Sequence, residues 1–390
     1  MPLSSAQDLR KFVTPEFVFG RKARRLAGRY ARNLGALKAM VVSDPGVNAA
    51  GWTGEILDGL ETLGIPHSLY LDVSPNPRSE EVMQGARVYA QEACNLLLAV
   101  GGGSPIDCAK GIGIVSANGG DILDYAGVEA IAAPSPPLIC VPTTGGTSAD
   151  ISQFCIITDL RHHNKITIVS VSKTMVPDVS LIDPETLTTM PSELAAHTGF
   201  DALSHAIEAY VSNASSPITD LFALEAIRLI SAFLMRSIAE PANLEWRRQV
   251  MLGSLNAGLA FSNAGLGISH AMAHALGGWL DRPHGLCMAL VLPVGVRFNF
   301  ETVPERYTAI AAAMGLTVRP ADRPGVLSAL TEELERLRSS LGISRTLRQV
   351  GVLREDLPTL ARNAYHDACL ATTPRVPTLA EIEELYERAF

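Results

Sequence analysis

No run of apolar residues in this chain approaches the ~18 that a membrane-spanning helix needs, so none is expected to cross a bilayer. The opening, M-P-L-S-S-A-Q-D-L-R-K-F-V, has no apolar stretch of the kind a signal peptide carries. Basic residues are outnumbered. Against 40 Asp and Glu there are 32 Lys and Arg, and the formal net charge of −8 argues against nucleic acid or an anionic membrane surface as partner. Cysteine is sparse as well: Cys94, Cys108, Cys140, Cys155, Cys287 and Cys369 lie scattered, with no C-x-x-C pair and no disulfide-scaffold spacing. They read as buried free thiols in a reducing cytoplasm. Internal repeats and low-complexity tracts are missing. What is present is 390 residues of 47% hydrophobic composition, ample for two domains with sizeable cores.

The first half has a βα rhythm. An apolar and basic opening, F-V-F-G-R-K-A-R-R-L-A, suggests a short strand and a helix. Strands are then expected at 39–44 (A-M-V-V-S-D), 67–72 (H-S-L-Y-L-D), 95–100 (N-L-L-L-A-V) and 137–142 (P-L-I-C-V-P), with helices between them. N-L-L-L-A-V is continuous enough in apolar residues to be buried on both faces, as strands of a parallel sheet are. From about residue 188 the period becomes helical, over 192–211, 217–237, 241–260, 263–280, 303–314, 323–341 and 378–389. The expected architecture is an α/β N-terminal domain over 1–187, built on a parallel, Rossmann-like sheet, and an all-α C-terminal domain over 188–390.

Two stretches of the helical half carry chemistry. Gly267–Gly285 reads G-I-S-H-A-M-A-H-A-L-G-G-W-L-D-R-P-H-G and holds three of the chain's nine histidines. His270 and His274 share one helical face, and Pro283 sets up a turn in which His284 swings back toward it. Upstream, T-G-F-D-A-L-S-H-A-I-E-A-Y puts Asp201 and His205 one turn apart in an apolar helix. An inward-facing carboxylate and imidazole are costly to bury alone, and a cation offsets that cost. One Asp with three His suits iron(II) or zinc, with manganese or cobalt also open. The plainer reading, histidines packed in a core, weakens as donors accumulate.

The α/β half carries a second chemistry. V-G-G-G-S-P-I-D (100–107) leaves a strand and opens a helix, where glycines let the backbone approach a pyrophosphate and free N–H groups face its charge. P-T-T-G-G-T-S (142–148) is a second strand exit, with hydroxyls and glycines. Together they suggest a dinucleotide site at the carboxyl ends of the strands. Asp44, ending the strand at 39–44, suits ribose hydroxyls and repels a 2′-phosphate; its plainer reading is a turn residue before Pro-Gly.

The segments Gly199–Glu208 and Gly267–Gly285 resemble the metal-binding motifs of the iron-containing (group III) alcohol dehydrogenases, and the likeness runs from the strand at 39 to the helices after 350. It implies Asp201, His205, His270 and His284 as ligands of Fe2+, with Zn2+ possible. It implies NAD held at its pyrophosphate by Gly101, Gly102, Gly103 and Ser104. Thr143, Thr144 and Thr147 would line the cofactor, with Asn76 (in P-N-P) and Lys165 (in H-N-K-I) beside it. An acid at Asp44 implies NAD over NADP. The chain departs from the family's PTTAGTGSE by reading PTTGGTSAD, so polar contacts near the nicotinamide are expected to differ. His274 is not a ligand in the family and is a candidate for proton transfer or substrate hydrogen bonding. Phe261 and Trp279 would shape an apolar substrate pocket or simply pack in the core.

The activity so implied is hydride transfer between a small primary alcohol or aldehyde and NAD, in a homodimer or larger homo-oligomer. Two alternatives stand beside it. One is a regulatory or sensor member of the family. The other is a lyase like dehydroquinate synthase, whose phosphate-ester substrate calls for clustered Lys and Arg that the metal helices lack, Arg282 excepted.

Overall fold

The computed structural model describes residues 11–390 apart from Val171 and Ser344. The first ten residues, part of the segment without a signal-peptide core, lie outside the described residues. The chain forms two compact units, one of Val13–Met190 with Pro241–Met251, the other including Pro191–Glu240 and Leu252–Phe390. Among the described residues no helix is long and apolar enough to cross a membrane.

Among the described residues the first unit has nine strands: β1 (Glu16–Phe19), β2 (Ala39–Val42), β3 (His67–Tyr70), β4 (Leu96–Gly101), β5 (Gly127–Val128), β6 (Leu138–Pro142), β7 (Phe154–Asp159), β8 (Asn164–Val169) and β9 (Val179–Ile182). Six of them make a wholly parallel sheet in the order β1-β9-β6-β4-β2-β3. Every residue of β2, β4 and β6 is buried. The pleat sorts them into two cores. Met40, Val42, Leu97, Ala99 and Cys140 face Val82, Ile106 and Ile112 of the helices Ser79–Gln91 and Gly103–Asn118. Val41, Leu96, Leu98, Ile139 and Val141 face Ala27, Ala31, Ile56 and Leu60 of the helices Ala27–Asn33 and Trp52–Thr62. Two covered faces explain why these strands read as unbroken apolar runs. Each fully buried aliphatic side chain contributes about 1.5–3 kcal/mol.

The expected strands correspond to β2, β3, β4 and β6. The hairpin β7–β8 was not foreseen; it pairs antiparallel and joins β5 in a second, three-stranded sheet. Its loop, Leu160–His163, lacks the Asn-Gly or Asp-Gly signature, and His163 takes a positive φ of 48°. A βα rhythm gives no warning of such an insertion.

The second unit is helical in the expected places, including Ser192–Val211, Pro217–Ala239, Ile268–Leu280 and Leu379–Ala389. Two helices were missed, His284–Asn299 and Leu357–Tyr365. The former is apolar on nearly every side and contains Pro293, so it shows neither an amphipathic period nor an uninterrupted run of helix formers. All six cysteines are buried, and none forms a disulfide.

An ion cluster fastens the sheet unit near the ends of β1 and β9. Arg24 is 3% exposed and donates to Asp183 (2.5 Å), Glu185 (2.7 Å) and Glu55 (3.0 Å). Those three carboxylates hold its guanidinium pKa above the usual range, although burial opposes the shift. Arg24→Met would leave the fully buried Asp183 without its counter-charge and beside Glu185. The expected cost is about 3–5 kcal/mol, as for one-sided loss of a buried pair. Urea unfolding followed by circular dichroism measures it, and a loss below about 1 kcal/mol would contradict this account.

Candidate active site

The helix Ser192–Val211 is buried from Ala195 to Val211, and its 3.6-residue period sets Asp201 and His205 one turn apart on one face. The helix Ile268–Leu280 brings His270. It ends at Asp281, which takes a left-handed φ of 49°, and Pro283 then caps a new helix whose first residue is His284. One donor atom from each of Asp201, His205, His270 and His284 lies within 4.8 Å of all the others. Asp201 Oδ1 stands 3.9 Å from His205 Nε2, 3.9 Å from His270 Nε2 and 3.4 Å from His284 Nε2.

These spacings suit a shared cation. Bonds of ~2.0–2.2 Å in a tetrahedron give donor–donor edges of roughly 3.3–3.6 Å, so only small side-chain adjustments separate the set from coordination. His270 Nε2 is buried with no hydrogen-bond partner, a costly state that a metal bond would relieve. The side chains of Asp201, His205 and His270 are 2%, 6% and 0% exposed, whereas that of His284 retains 22%. Phe261 stacks on His205 with ring centroids 4.2 Å apart, so this aromatic faces the cluster. Trp279 is half-buried near the end of its helix.

Two buried carboxylates missed at the level of sequence surround the histidines. Glu208 meets His270 Nδ1 at 2.6 Å. Burial pushes its pKa up, but His270 and the backbone N–H of Ser269 bring it below the ordinary carboxylate range. Burial pushes His270 down, with Glu208 opposing, which favours the neutral imidazole. Asp367 meets His274 Nδ1 at 2.9 Å and accepts from the backbone N–H of Cys369 at 2.8 Å. Burial acts to raise Asp367, yet His274 and that amide hold it at about 2. His274 itself lies beside the cluster, its ring 5.1 Å from that of His284 and 6.2 Å from that of His270. Glu208 had a local signal, an acid one turn beyond His205. Asp367, 93 residues from His274, had none.

In the sheet unit, register gathers the residues expected at a dinucleotide. Gly101 pairs with Pro142, and the N–H of Thr143 donates to Gly101 O at 2.9 Å. The two strand exits then touch. A Cβ on Gly102 would sit 2.9 Å from Thr144 Cγ2, so that side chain would have to shift, and one on Gly103 would sit 3.1 Å from Thr147, a tight contact. Asn76, at φ 60°, donates its N–H to Ser104 Oγ (3.3 Å) and accepts from Lys165 Nζ (2.7 Å). Gly101–Ser104, Thr143, Thr144, Thr147, Asn76 and Lys165 therefore converge. Register between β2 and β4 carries Asp44 to the level of Gly101. There Asp44 Oδ1 accepts from the Val47 N–H and caps the helix Pro45–Ala49, so its turn role is real. In the divergent S-A-D, Asp150 is 5% exposed and accepts from Ser180 Oγ at 2.5 Å. Lys110 was not singled out from sequence. It is 1% exposed and donates to the carbonyls of Ser152 (2.9 Å) and Phe154 (2.7 Å), tying down the exit of that loop.

Comparison with known proteins agrees across both units. The family model described as "Iron-containing alcohol dehydrogenase" matches residues 14–184, and that of the "Fe-containing alcohol dehydrogenase family, C-terminal" matches 195–390. A 1,3-propanediol dehydrogenase of Citrobacter freundii is 39% identical over 95% of this chain and 96% of its own. An NAD-dependent methanol dehydrogenase of Bacillus methanolicus is 35% identical over 97% and 99%. The crystal structure of a 1,3-propanediol oxidoreductase superposes with a TM-score of 0.92 at 37% identity, covering 98% of this chain and 100% of that one.

One contact sets His284 in place. A Cβ on Gly285 would fall 2.0 Å from the backbone oxygen of His197, on the helix that carries Asp201 and His205. Gly285→Ala must push the two backbones apart, at about 1–3 kcal/mol or more, and should displace His284. The expected outcome is a folded but less stable chain that binds a divalent ion at least ~10-fold more weakly. Zn2+ titration beside a thermal melt checks this; unchanged affinity would show that His284 is not held by this contact.

Proposed function

The chain belongs to the iron-containing alcohol dehydrogenase family, and on that premise we propose that it is an NAD-dependent alcohol dehydrogenase interconverting a small, uncharged primary alcohol and its aldehyde. The single observation that carries the reading is the convergence of one carboxylate and three imidazoles at 3.4–3.9 Å from Asp201 Oδ1. In this reading Asp201, His205, His270 and His284 hold Fe2+, with Zn2+ as the other ion that the donor set suits.

The net reaction is alcohol plus NAD+ giving aldehyde, NADH and a proton. A divalent ion bound there supplies Lewis acidity toward the alcohol oxygen, and the nicotinamide supplies the hydride acceptor. The chain's own groups do the rest. Gly101–Ser104 offer backbone N–H groups at the start of the helix Gly103–Asn118 to a pyrophosphate. Thr143, Thr144 and Thr147 line the same exit, and Lys165, hydrogen-bonded to Asn76, would stand beside the ribose. Phe261, stacked on His205, supplies apolar surface and excludes water from the imidazoles. His274, fixed through Nδ1 by Asp367, takes or returns the alcohol proton at Nε2. The same reading takes the chain as a homo-oligomer in a reducing cytoplasm, which six free buried thiols suit.

A panel of primary alcohols with NAD and Fe2+ tests the activity by NADH formation. No turnover of any of them, with metal and NAD both bound, would favour a sensor over an enzyme. His270→Ala should lose metal and activity together, whereas His274→Ala should keep the metal and lower kcat by about 100-fold or more. The reverse pattern would exchange the roles of the pair.

Cofactor choice has its own variant. Asp44→Asn keeps a side-chain oxygen to cap the helix Pro45–Ala49 and removes only the charge. Discrimination against NADP should fall by about 1–3 kcal/mol in kcat/KM. A wild-type chain that prefers NADP would refute the assignment.

A further inference from the structure

We propose that Glu208 is the positioning residue that makes His270 a metal ligand, by holding its proton on Nδ1 and leaving the Nε2 lone pair for the ion. Naming the ion rests on the metal-site reading above. The tautomer does not, because it belongs to the metal-free chain.

Glu208 follows His205 by three residues, on the buried face of the helix Ser192–Val211, and is itself 3% exposed. Its Oε2 meets His270 Nδ1 at 2.6 Å, the Gly267 N–H at 2.9 Å and the His270 N–H at 3.3 Å. Its Oε1 accepts from the Ser269 N–H at 2.7 Å. Three of these partners are backbone amides at the first turn of the helix Ile268–Leu280, and an amide N–H only donates. An oxygen already facing two such donors asks Nδ1 to donate as well. A neutral imidazole has one proton to place, so Nε2 is left bare. That nitrogen is the one 3.9 Å from Asp201 Oδ1, buried with no hydrogen-bond partner.

Tautomer and position are thus set by one carboxylate. It caps the first turn of the helix that presents His270, and it rides on the helix that presents Asp201 and His205. A carboxylate at the non-ligating nitrogen orients the ring and raises its basicity toward a metal. A similar contact recurs one turn along, between His274 and Asp367, whose other oxygen caps a backbone N–H.

Glu208→Gln separates charge and acceptor number from shape. The amide keeps the size but has one donating end. Turned one way, its NH2 opposes the Ser269 N–H while its oxygen still accepts from Nδ1; turned the other, it opposes the Gly267 and His270 N–H groups and donates to Nδ1, favouring the tautomer with the proton on Nε2. The experiment uses the full chain with 15N-labelled histidine. NMR of the metal-free protein reads the His270 tautomer, and Zn2+ titration against a competing chelator reads affinity. Wild type should show Nδ1–H. Glu208→Gln should populate the Nε2–H tautomer in part, and the loss of the charge at Nδ1 should weaken Zn2+ binding about 10- to 100-fold. A wild-type Nε2–H tautomer overturns the proposal without any variant, should the substitution prevent folding. So does a Glu208→Gln chain whose melting temperature falls while its tautomer and affinity stay unchanged, the signature of helix capping alone. A wild-type chain that binds no Zn2+, Co2+ or Fe2+ would overturn the metal-site reading instead, and the metal-free tautomer would still judge Glu208.

Discussion

A carboxylate buried among imidazoles is the constraint around which the helical unit is arranged. Asp201 has 2% of its side chain exposed and three histidine nitrogens within 3.9 Å. Such a group is tolerable only if it is compensated, by donors or by a cation. The surrounding structure is consistent with that demand. Glycine lets the helices approach closely, and Gly285 against the His197 carbonyl is the tightest instance among the described residues. Glu208 and Asp367 then fix the rings that the helices only deliver.

The sheet unit obeys a different constraint, the close approach of loops at neighbouring strand ends. Parallel pairing sets Gly101 beside Pro142 and carries Asp44 to the same level, so three consecutive strand ends deliver their loops together. Gly102 lies tight against Thr144, and Gly103 against Thr147, so a side chain at either glycine would press on the facing threonine. The loop that departs from the family's wording is anchored from beneath, by Lys110 on the Ser152 and Phe154 carbonyls and by Ser180 on Asp150. Its altered acid faces the interior of the sheet unit.

Much of this was legible without coordinates. Four sheet strands appear as apolar runs because both faces of the sheet are covered. The helix Ser192–Val211 was read to its last residue, and the i, i+4 pairs Asp201/His205 and His270/His274 fall on common faces because helical geometry is the same in every protein. Signals failed where periodicity had no grip. The helix His284–Asn299 is apolar all round and contains a proline, and the β7–β8 hairpin turns through a loop with no typical turn residues. In both cases packing overrode a weak local preference.

The sequence by itself determined what depends on spacing along the chain: which residues share a face, where a glycine triplet opens a helix, and that a carboxylate and three imidazoles able to hold a cation cluster in two short segments. Tertiary structure alone decided what depends on distance between elements. His270 meets an acid 62 residues away and His274 one 93 residues away, and the carboxylate at each Nδ1 fixes the orientation of its ring. Asn76 reaches Lys165 across 89 residues. Helical and strand periods fix directions only within an element. Which directions meet is settled by how side chains interlock when the elements pack, and no local period encodes it.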